Sequence, residues 1–262
     1  MNGLTDRSFL YGDALFSTMK VQDSRLQLWP LHWQRLQQSA ARLGFAPLVQ
    51  QQIEDAIAMR QLSNNQVLKI QVSRGAGGRG YSPRGVDGPS IYLSDATLPD
   101  YTIQQQHGVS LDLASLRLGR QPALAGIKHC NRLENVLLKQ ELESSTVDEL
   151  LVADSENVLV ECTAANIMFY KQQQWFTPSL QYAGVAGVMR DLLMRHLNIR
   201  EVTWSVADLI DVDAMLVCNA LMGVVPVRQW RQVALDLAPV QVIQNNLPQW
   251  IDEFSSPCGK KR

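Results

Sequence analysis

The amino-acid sequence predicts an α+β protein with a small N-terminal domain of mixed helices and strands and a larger, barrel-like C-terminal domain. In the N-terminal half, strand patterns alternate with helix patterns. In the second half, short strand patterns follow one another at even spacing and are joined by turn residues, which favours a meander or barrel-like sheet. Residues 117–122 have few apolar side chains in register. We therefore predict domains at 1–115 and 126–262, joined by a linker at 116–125.

The N-terminal elements are predicted from residue periodicity. Residues 16–21 alternate as a strand does, and residues 25–29 are the predicted hairpin partner. Pro30 and Gly44 mark the predicted start and end of the first helix, because proline suits the first helical turn and glycine suits the position after the last. The other predicted elements are a helix at 48–62 and strands at 68–72, 91–93 and 109–113.

The C-terminal half is predicted to be richer in strand. Its short apolar runs are separated by turn residues such as those at 154–157. Strands are predicted at 150–152, 158–160, 167–169, 175–176, 215–218 and 224–227, and helices at 188–197 and 240–251. Residues 255–262 are predicted to form a frayed tail.

Composition and charge narrow the function classes. With 46% hydrophobic and 19% charged residues, the chain of 262 residues is typical of a soluble globular protein. A net charge of -1 provides no basic field for nucleic acid or an anionic membrane. No apolar run approaches the roughly 18 residues that span a bilayer. The first residues lack the basic and then apolar layout of a secretion signal, so we expect a cytoplasmic protein.

Cysteine and histidine spacing argues against disulfides and metals. The four cysteines include no Cys-x-x-Cys pair, so we expect reduced thiols at Cys130, Cys162, Cys218 and Cys258. The four histidines include no His-x-x-x-His pair, so no metal site is predicted from His32, His107, His129 and His196.

The central stretch, residues 125–134, reads Ala-Gly-Ile-Lys-His-Cys-Asn-Arg-Leu-Glu. Asn131 followed by Glu134 is a capping-box pattern, which predicts the start of a helix. The apolar stripe of that helix would comprise Leu133, Val136 and Leu137. Lys128 would lie just before the positive end of the helix, where the nucleophilic neutral amine is favoured. The alternative is an ordinary solvated lysine, since the chain has 24 Lys and Arg residues.

Three downstream motifs strengthen the case for Lys128. They are Val160-Glu161-Cys162-Thr163-Ala164-Ala165-Asn166-Ile167, Gly184-Val185-Ala186-Gly187-Val188-Met189-Arg190 and Cys218-Asn219-Ala220-Leu221-Met222. In this order and at these separations they resemble the motifs of the fold-type IV pyridoxal-phosphate enzymes. Within that family, the run Gly-Ile-Lys-His-Cys-Asn-Arg-Leu-Glu is similar to that of the 4-amino-4-deoxychorismate lyases. The resemblance extends from Asp6 to Val227 and implies the fold-type IV architecture, pyridoxal 5'-phosphate as the cofactor and a homodimer.

The resemblance also implies roles for individual residues. Lys128 would be the Schiff-base lysine, and Glu161, which begins the Glu-x-x-x-x-Asn pattern ending at Asn166, would keep the pyridine nitrogen protonated. The phosphate would be held by Arg35, by the helix start Gly187-Val188-Met189 and by the turn Asn219-Ala220-Leu221. A solvated strand-end glutamate and an ordinary glycine before a helix are the alternatives. Met189 and Ala220 stand where related aminotransferases usually have a threonine.

A loop rich in glycine and arginine spans residues 74–84. Its glycines make helix and strand costly, and its guanidinium groups suit a carboxylate. The alternative is a mobile surface loop kept soluble by arginine. The substrate that the resemblance implies has two carboxylates. The candidates for binding them are Arg74, Arg79, Arg84 and Lys20.

The resemblance implies a lyase that converts 4-amino-4-deoxychorismate into 4-aminobenzoate and pyruvate, a step of folate biosynthesis. One alternative is an aminotransferase of the same fold that acts on D-amino or branched-chain amino acids. Another is a pyridoxal-phosphate carrier without turnover. The run at 128–132 and the missing threonines favour the lyase.

Overall fold

The computed structural model describes residues 5–60 and 62–257, and these form two compact units. The first unit comprises the chain up to Leu98, the segment Ile127–Arg132 and the chain from Asp252 onward. The second unit comprises Pro99–Gly126 and Leu133–Ile251. Both units are therefore discontinuous in sequence.

The helices are α1 (Arg7–Tyr11), α2 (Trp29–Arg42), α3 (Gln50–Ala58), α4 (Thr102–His107), α5 (Leu133–Glu143), α6 (Val188–His196) and α7 (Ala238–Glu253). A 3-10 helix spans Val206–Leu209. The strands are β1 (Ala14–Gln22), β2 (Arg25–Leu26), β3 (Gln66–Ser73), β4 (Ser90–Thr97), β5 (Val109–Leu113), β6 (Glu149–Ala153), β7 (Leu159–Cys162), β8 (Asn166–Lys171), β9 (Gln174–Pro178), β10 (Ile199–Val202), β11 (Ala214–Asn219), β12 (Gly223–Trp230), β13 (Val233–Ala234) and β14 (Ser256–Pro257).

The first unit is built on an antiparallel sheet with strand order β14-β2-β1-β3-β4. In β1, the buried side chains alternate with half-buried ones, as the sequence predicts. The core includes Met19, Leu68 and Ile70, and Ile127 packs into it from the separate segment that carries Lys128. This segment is therefore anchored by an apolar side chain immediately before the lysine.

The second unit is built on a larger sheet with strand order β10-β9-β8-β11-β12-β5-β6-β7, and β13 pairs with β12. The parallel pairs are β5 with β12, β5 with β6 and β9 with β10. The sheet curls, because β7 also lies against β8 and β9. Its core includes Leu111, Phe169 and Val225, each 0% exposed. The predicted barrel-like C-terminal sheet is present in this unit.

The predicted domain boundary differs from the division of the structure. Strand β5 falls in the second unit because it pairs with β6 and β12. The predicted linker at 116–125 also belongs to that unit, where Leu118 is buried and donates its N–H to the Ala153 carbonyl at 3.0 Å. The first unit gains Ile127–Arg132 instead.

Two further local predictions need correction. Residues 25–29 were expected to form one strand, but β2 is short and Trp29 already begins α2. Ser256 and Pro257 are not frayed, since β14 pairs with β2. The rest of the predicted tail, residues 258–262, lies outside the described residues. Among the helices that the structure describes, none is long and apolar enough to cross a membrane.

Candidate functional site

The Lys128 segment runs beside β1 in the first unit. Phe16 donates its N–H to the Lys128 carbonyl at 3.0 Å, and Cys130 donates to the Ala14 carbonyl at 2.9 Å. The half-buried ammonium of Lys128 lies 4.5 Å from the centroid of the Phe16 ring. Backbone pairing on both sides of Lys128 and the aromatic contact thus fix where this amine is placed.

The predicted capping box is wrong. Helix α5 begins at Leu133, but Asn131 donates its side-chain N–H to the Gly12 carbonyl at 3.1 Å. Glu134 accepts a hydrogen bond from the Gly119 N–H at 3.3 Å. The predicted apolar stripe faces outward, with exposed fractions of 79% for Leu133, 52% for Val136 and 51% for Leu137. The side chain of α5 that is buried is Leu138.

A short chain of hydrogen-bonded polar side chains, Ser17, His32 and Arg35, links β1 to α2. The hydroxyl of Ser17 lies 2.7 Å from Nδ1 of His32, and Arg35 donates to the same hydroxyl at 2.7 Å. Ser17 and His32 are fully buried, and Arg35 is half-buried. His32 and Arg35 are three residues apart, so they share one face of α2.

The electrostatics around Lys128 favour a bound anion. Burial lowers the pKa of Arg35 to about 10, and the charge of Arg132 adds to this effect. Burial and the charges of Arg35 and Lys128 hold the pKa of His32 well below its usual value. Burial and Arg132 lower the pKa of His129 to about 4. Both histidines are therefore neutral at pH 7, whereas three cations influence this region, which suits a phosphate dianion.

The guanidinium of Arg74 is engaged in contacts within the first unit, and its role in substrate binding stays a prediction. Its Nε donates to Asp13 at 2.7 Å, and its terminal nitrogens donate to the carbonyls of Leu43 and Gly44 at 2.9 Å. The guanidinium also lies 4.1 Å from the centroid of the Phe45 ring. The two terminal nitrogens thus hold the loop to the end of α2, and Nε holds it to Asp13.

Arg74→Met should lower the free energy of unfolding by about 3 kcal/mol, because it leaves the carboxylate of Asp13 with less compensation in a half-buried position. Urea unfolding at pH 7 measures the change. Arg84→Met, in the same loop but at an exposed position, is the matched control and should change stability by less than about 0.5 kcal/mol. Equal stability of the two variants would contradict the structural role of Arg74.

The loop at 74–84 is irregular, as predicted, and Arg7 anchors its backbone through hydrogen bonds. Arg7 donates to the carbonyls of Gly80, Tyr81 and Ser82 at 3.0 to 3.2 Å and to the carboxylate of Asp13 at 2.8 Å. The backbone of the loop thus wraps around the buried guanidinium of Arg7, and carboxylate binding by the loop stays a prediction.

Three predicted substrate contacts remain accessible in the first unit. Arg79 and Arg84 are exposed on the anchored loop. Lys20 is half-buried on β1, and burial lowers its pKa, an effect that the charge of Asp23 partly opposes. These side chains can still meet a carboxylate.

Glu161 lies on β7 in the second unit and is only 5% exposed. One of its carboxylate oxygens accepts the N–H of Val185 at 2.9 Å. Gly184, immediately before Val185, has a φ of +85°, and a side-chain carbon placed on it would lie 2.6 Å from Val160 Cγ1 and 3.4 Å from Glu161. The positive φ and the close contact with Val160 therefore favour glycine at this position, immediately before the N–H that Glu161 accepts.

Gly184→Ala should lower the free energy of unfolding by about 2 to 4 kcal/mol, since both the positive φ and the close contact with Val160 oppose a side chain. Gly85→Ala is the matched control, because Gly85 has a φ of +75° and nothing within 4 Å of the added carbon. The control should show the backbone penalty alone, about 1 kcal/mol. Chemical denaturation of both variants checks the difference, and equal losses would argue against the crowding.

The second phosphate candidate is the start of α6. Gly187 is the N-cap residue of this helix and makes no side-chain cap. Val188 and Met189 are buried and apolar, so the groups that they can offer to a phosphate are their backbone N–H groups. The side chain of Asn166 donates to the Val185 carbonyl at 2.9 Å. A side-chain carbon on Gly187 would lie 2.0 Å from Asn166, so these two residues fit against each other only because one is glycine.

The turn at Asn219-Ala220-Leu221 is held together by Asn219 itself. Its amide oxygen accepts the N–H groups of Leu221 and Met222, both at 2.9 Å, and its amide nitrogen donates to the Ala164 carbonyl at 3.1 Å. The turn was expected to help to hold the phosphate, and this stays a prediction. Because the Asn219 side chain shapes the turn, the backbone groups of the turn are the candidates for that contact.

The described cysteines are free thiols: Cys130, Cys162 and Cys218. Burial raises the pKa of Cys162 well above its usual value and that of Cys218 to about 12. These two thiols are inert at neutral pH. Cys258 lies outside the described residues. Within the part of the chain that the structure describes, no three His, Cys, Asp or Glu side chains are grouped as a metal site.

Sequence reasoning missed several residues of these clusters, namely Phe16, Ser17, His32, Arg132 and Val185. A signal existed for one of them, because His32 and Arg35 are spaced to share a helix face. Ser17 and Val185 contribute through long-range pairing, which local periodicity does not reveal.

Comparison with known proteins places the chain in a family. The model of the family described as amino-transferase class IV matches residues 14–230. The chain belongs to the class IV aminotransferase family. Among the members of this family, the aminodeoxychorismate lyase of Vibrio harveyi is 38% identical over 231 residues, which cover 86% of this chain and 85% of the relative.

A solved structure of the class IV family supports the same relationship. The crystal structure of 4-amino-4-deoxychorismate lyase from Pseudomonas aeruginosa superposes with a TM-score of 0.87 at 32% identity, covering 95% of each chain. The predicted fold is thereby confirmed. A second class IV branch is more distant: the D-alanine aminotransferase of Bacillus licheniformis is 24% identical over 239 residues, 86% of this chain and 81% of the relative.

Proposed function

We propose that this protein is a pyridoxal-phosphate-dependent lyase that converts 4-amino-4-deoxychorismate into 4-aminobenzoate and pyruvate. The observation that carries the proposal is the placement of Lys128 among cations in the first unit. Lys128 and Arg35 both lower the pKa of the buried His32, and Arg132 lowers that of Arg35. A lysine nucleophile beside paired arginines suits a cofactor with an aldehyde and a phosphate. The relatives from Vibrio harveyi and Pseudomonas aeruginosa support the substrate.

The residues present fit this cofactor in chemistry. In the first unit, Arg35 and Arg132 carry charge that suits a phosphate. In the second unit, taken by itself, the start of α6 offers backbone donors and a positive helix end. Glu161 supplies a buried carboxylate for a protonated ring nitrogen. When bound, pyridoxal phosphate would supply an aldehyde that captures the substrate amine and a ring that accepts electrons.

Lys128 would perform the proton transfers of the reaction. Its amine, once released from the cofactor, would remove the proton from C4 of the substrate. The C3–O bond then breaks, and the same amine would deliver a proton to the methylene carbon of the departing enolpyruvyl group, which leaves as pyruvate. The ring that remains becomes aromatic, and this makes the step effectively irreversible.

The carboxylates of the substrate require cationic partners, and we propose Arg79, Arg84 and Lys20 for this role. Both arginines are exposed on a loop whose backbone Arg7 fixes. An anchored loop lets a guanidinium bind a carboxylate at a lower entropic cost than a mobile one. Arg74 is not included, since its donors are engaged with Asp13, Leu43 and Gly44.

We also propose that the protein is a cytoplasmic homodimer. The exposed apolar stripe of α5, formed by Leu133, Val136 and Leu137, supports an interface, because large exposed apolar patches mark association surfaces. The free thiols of the three described cysteines are consistent with a reducing compartment.

The decisive experiment mixes purified protein and pyridoxal phosphate with enzymatically generated 4-amino-4-deoxychorismate, without any 2-oxo acid. Equal, multiple-turnover release of 4-aminobenzoate and pyruvate is expected. No release, together with conversion of the cofactor to its pyridoxamine form by D-alanine or leucine, would instead identify an aminotransferase. That second candidate is favoured by the similarity to D-alanine aminotransferase. Cofactor binding without turnover on any amine would identify a carrier.

A further inference from the structure

Ser17 lies at the centre of a buried polar chain that the proposed reaction does not use directly. Its hydroxyl is 2.7 Å from a nitrogen of Arg35 and 2.7 Å from Nδ1 of His32. Ser17 and His32 are each 0% exposed. The other ring nitrogen of His32, Nε2, is buried and has no hydrogen-bond partner among the described residues. A buried hydroxyl is costly unless its hydrogen bonds are made, so the two contacts of Ser17 have a defined geometry.

The donor inventory fixes the direction of one of these two hydrogen bonds. A guanidinium has only donors, so the Ser17 oxygen accepts from Arg35. Between the hydroxyl and Nδ1 of His32, the proton is donated by the hydroxyl in one tautomer of the imidazole and by Nδ1 in the other, and both tautomers hold the hydroxyl in the same place. His32 thus orients the hydroxyl, and the hydroxyl orients the guanidinium.

We propose that Ser17, oriented by His32, is a positioning residue that holds the guanidinium of Arg35 ready for the cofactor phosphate. This inference rests on the proposed function and extends it from Arg35 to two residues that need not touch the cofactor. Arginine has a flexible side chain, and a partner that fixes it before binding removes part of the entropic cost of capturing the phosphate. The effect should therefore depend on the phosphate of the ligand.

The experiment compares two ligands, pyridoxal 5'-phosphate and pyridoxal, which differ only in the phosphate. Their dissociation constants are measured by absorbance titration of the wild-type protein and of Ser17→Ala. We expect Ser17→Ala to weaken binding of pyridoxal phosphate about tenfold, as loss of a charge-assisted hydrogen bond predicts, and to leave pyridoxal binding within about twofold. In an Arg35→Gln background, Ser17→Ala should add little further loss.

A matched pair at His32 keeps the test valid if Ser17→Ala folds poorly. His32→Asn retains a group near the position of Nδ1 that can donate or accept a hydrogen bond, whereas His32→Leu removes it. We expect the asparagine variant to keep the preference for the phosphorylated ligand, measured as the ratio of the two dissociation constants. In the leucine variant this ratio should fall about tenfold. Thermal melting of each variant reports folding separately.

The outcomes separate this inference from the proposed function. If wild type binds both ligands and every variant weakens them equally or not at all, the positioning role is overturned while cofactor binding stands. If wild type binds neither ligand, the proposed function fails, and this inference fails with it. Phosphate-selective weakening, present in His32→Leu and absent in His32→Asn, supports the role of Ser17.

Discussion

Replacing Lys128 with alanine should reduce release of pyruvate by at least about 10⁴-fold, since the proposed reaction loses both its covalent anchor and its proton-transfer group. Bound cofactor should also no longer be fixed to the protein by borohydride reduction. Peptide mass mapping of reduced wild-type protein should place the added mass on Lys128. The expected effect is large because the amine is proposed to act at more than one step.

Lys69→Ala is the matched control. The ammonium of Lys69 also lies over the Phe16 ring, at 5.0 Å from its centroid, but this side chain is exposed on β3. The control should retain activity within about threefold, as is usual for a surface substitution. A Lys128→Ala protein that still turns over substrate and still retains reduced cofactor would eliminate Lys128 as the nucleophile.

Glu161→Gln should lower kcat by about 10²- to 10³-fold, the usual cost of removing one group that stabilises charge in a buried site. Glutamine keeps the shape of the side chain and can still accept the N–H of Val185, so the fold should be retained. What it lacks is the negative charge proposed to keep the ring nitrogen protonated. Steady-state kinetics and the absorbance spectrum of the bound cofactor report the two effects separately.

Glu156→Gln provides the comparison, because Glu156 is exposed in the turn that precedes β7. Its kinetics should match those of the wild type. Kinetics of Glu161→Gln within about threefold of wild type, with normal cofactor binding, would show that this carboxylate does not govern the cofactor ring.

Much of the secondary structure is predictable from the sequence because burial follows residue alternation. Strand β1 buries Ser17, Met19 and Val21, which alternate with half-buried neighbours. Helix α6 begins at Val188, immediately after the glycine that predicts its start. The motifs of the family are also recognisable in the sequence, and two of them contain Lys128 and Glu161.

The remaining features depend on pairings between distant residues. Helix α1 has only five residues, and it is held by its cap Asp6 and by Gly12 in the left-handed conformation, so no periodic pattern reveals it. The role of Arg74 depends on Asp13 and on the end of α2, which local composition cannot indicate. The domain boundary is also hidden, because the buried side chain of Ile127 and the backbone pairing of Lys128 and Cys130 with β1 place this short segment in the first unit.

The pairing of β14 with β2 has a consequence for how the protein is made. The ribosome synthesises β2 long before β14, and Leu26 meets its partner Ser256 only after the intervening chain has been translated. Until then, one edge of the first sheet exposes unpaired backbone groups, which are a template for intermolecular association. Newly made chains should therefore depend on chaperones more than the finished protein does, and a peptide that mimics β14 should slow aggregation during refolding.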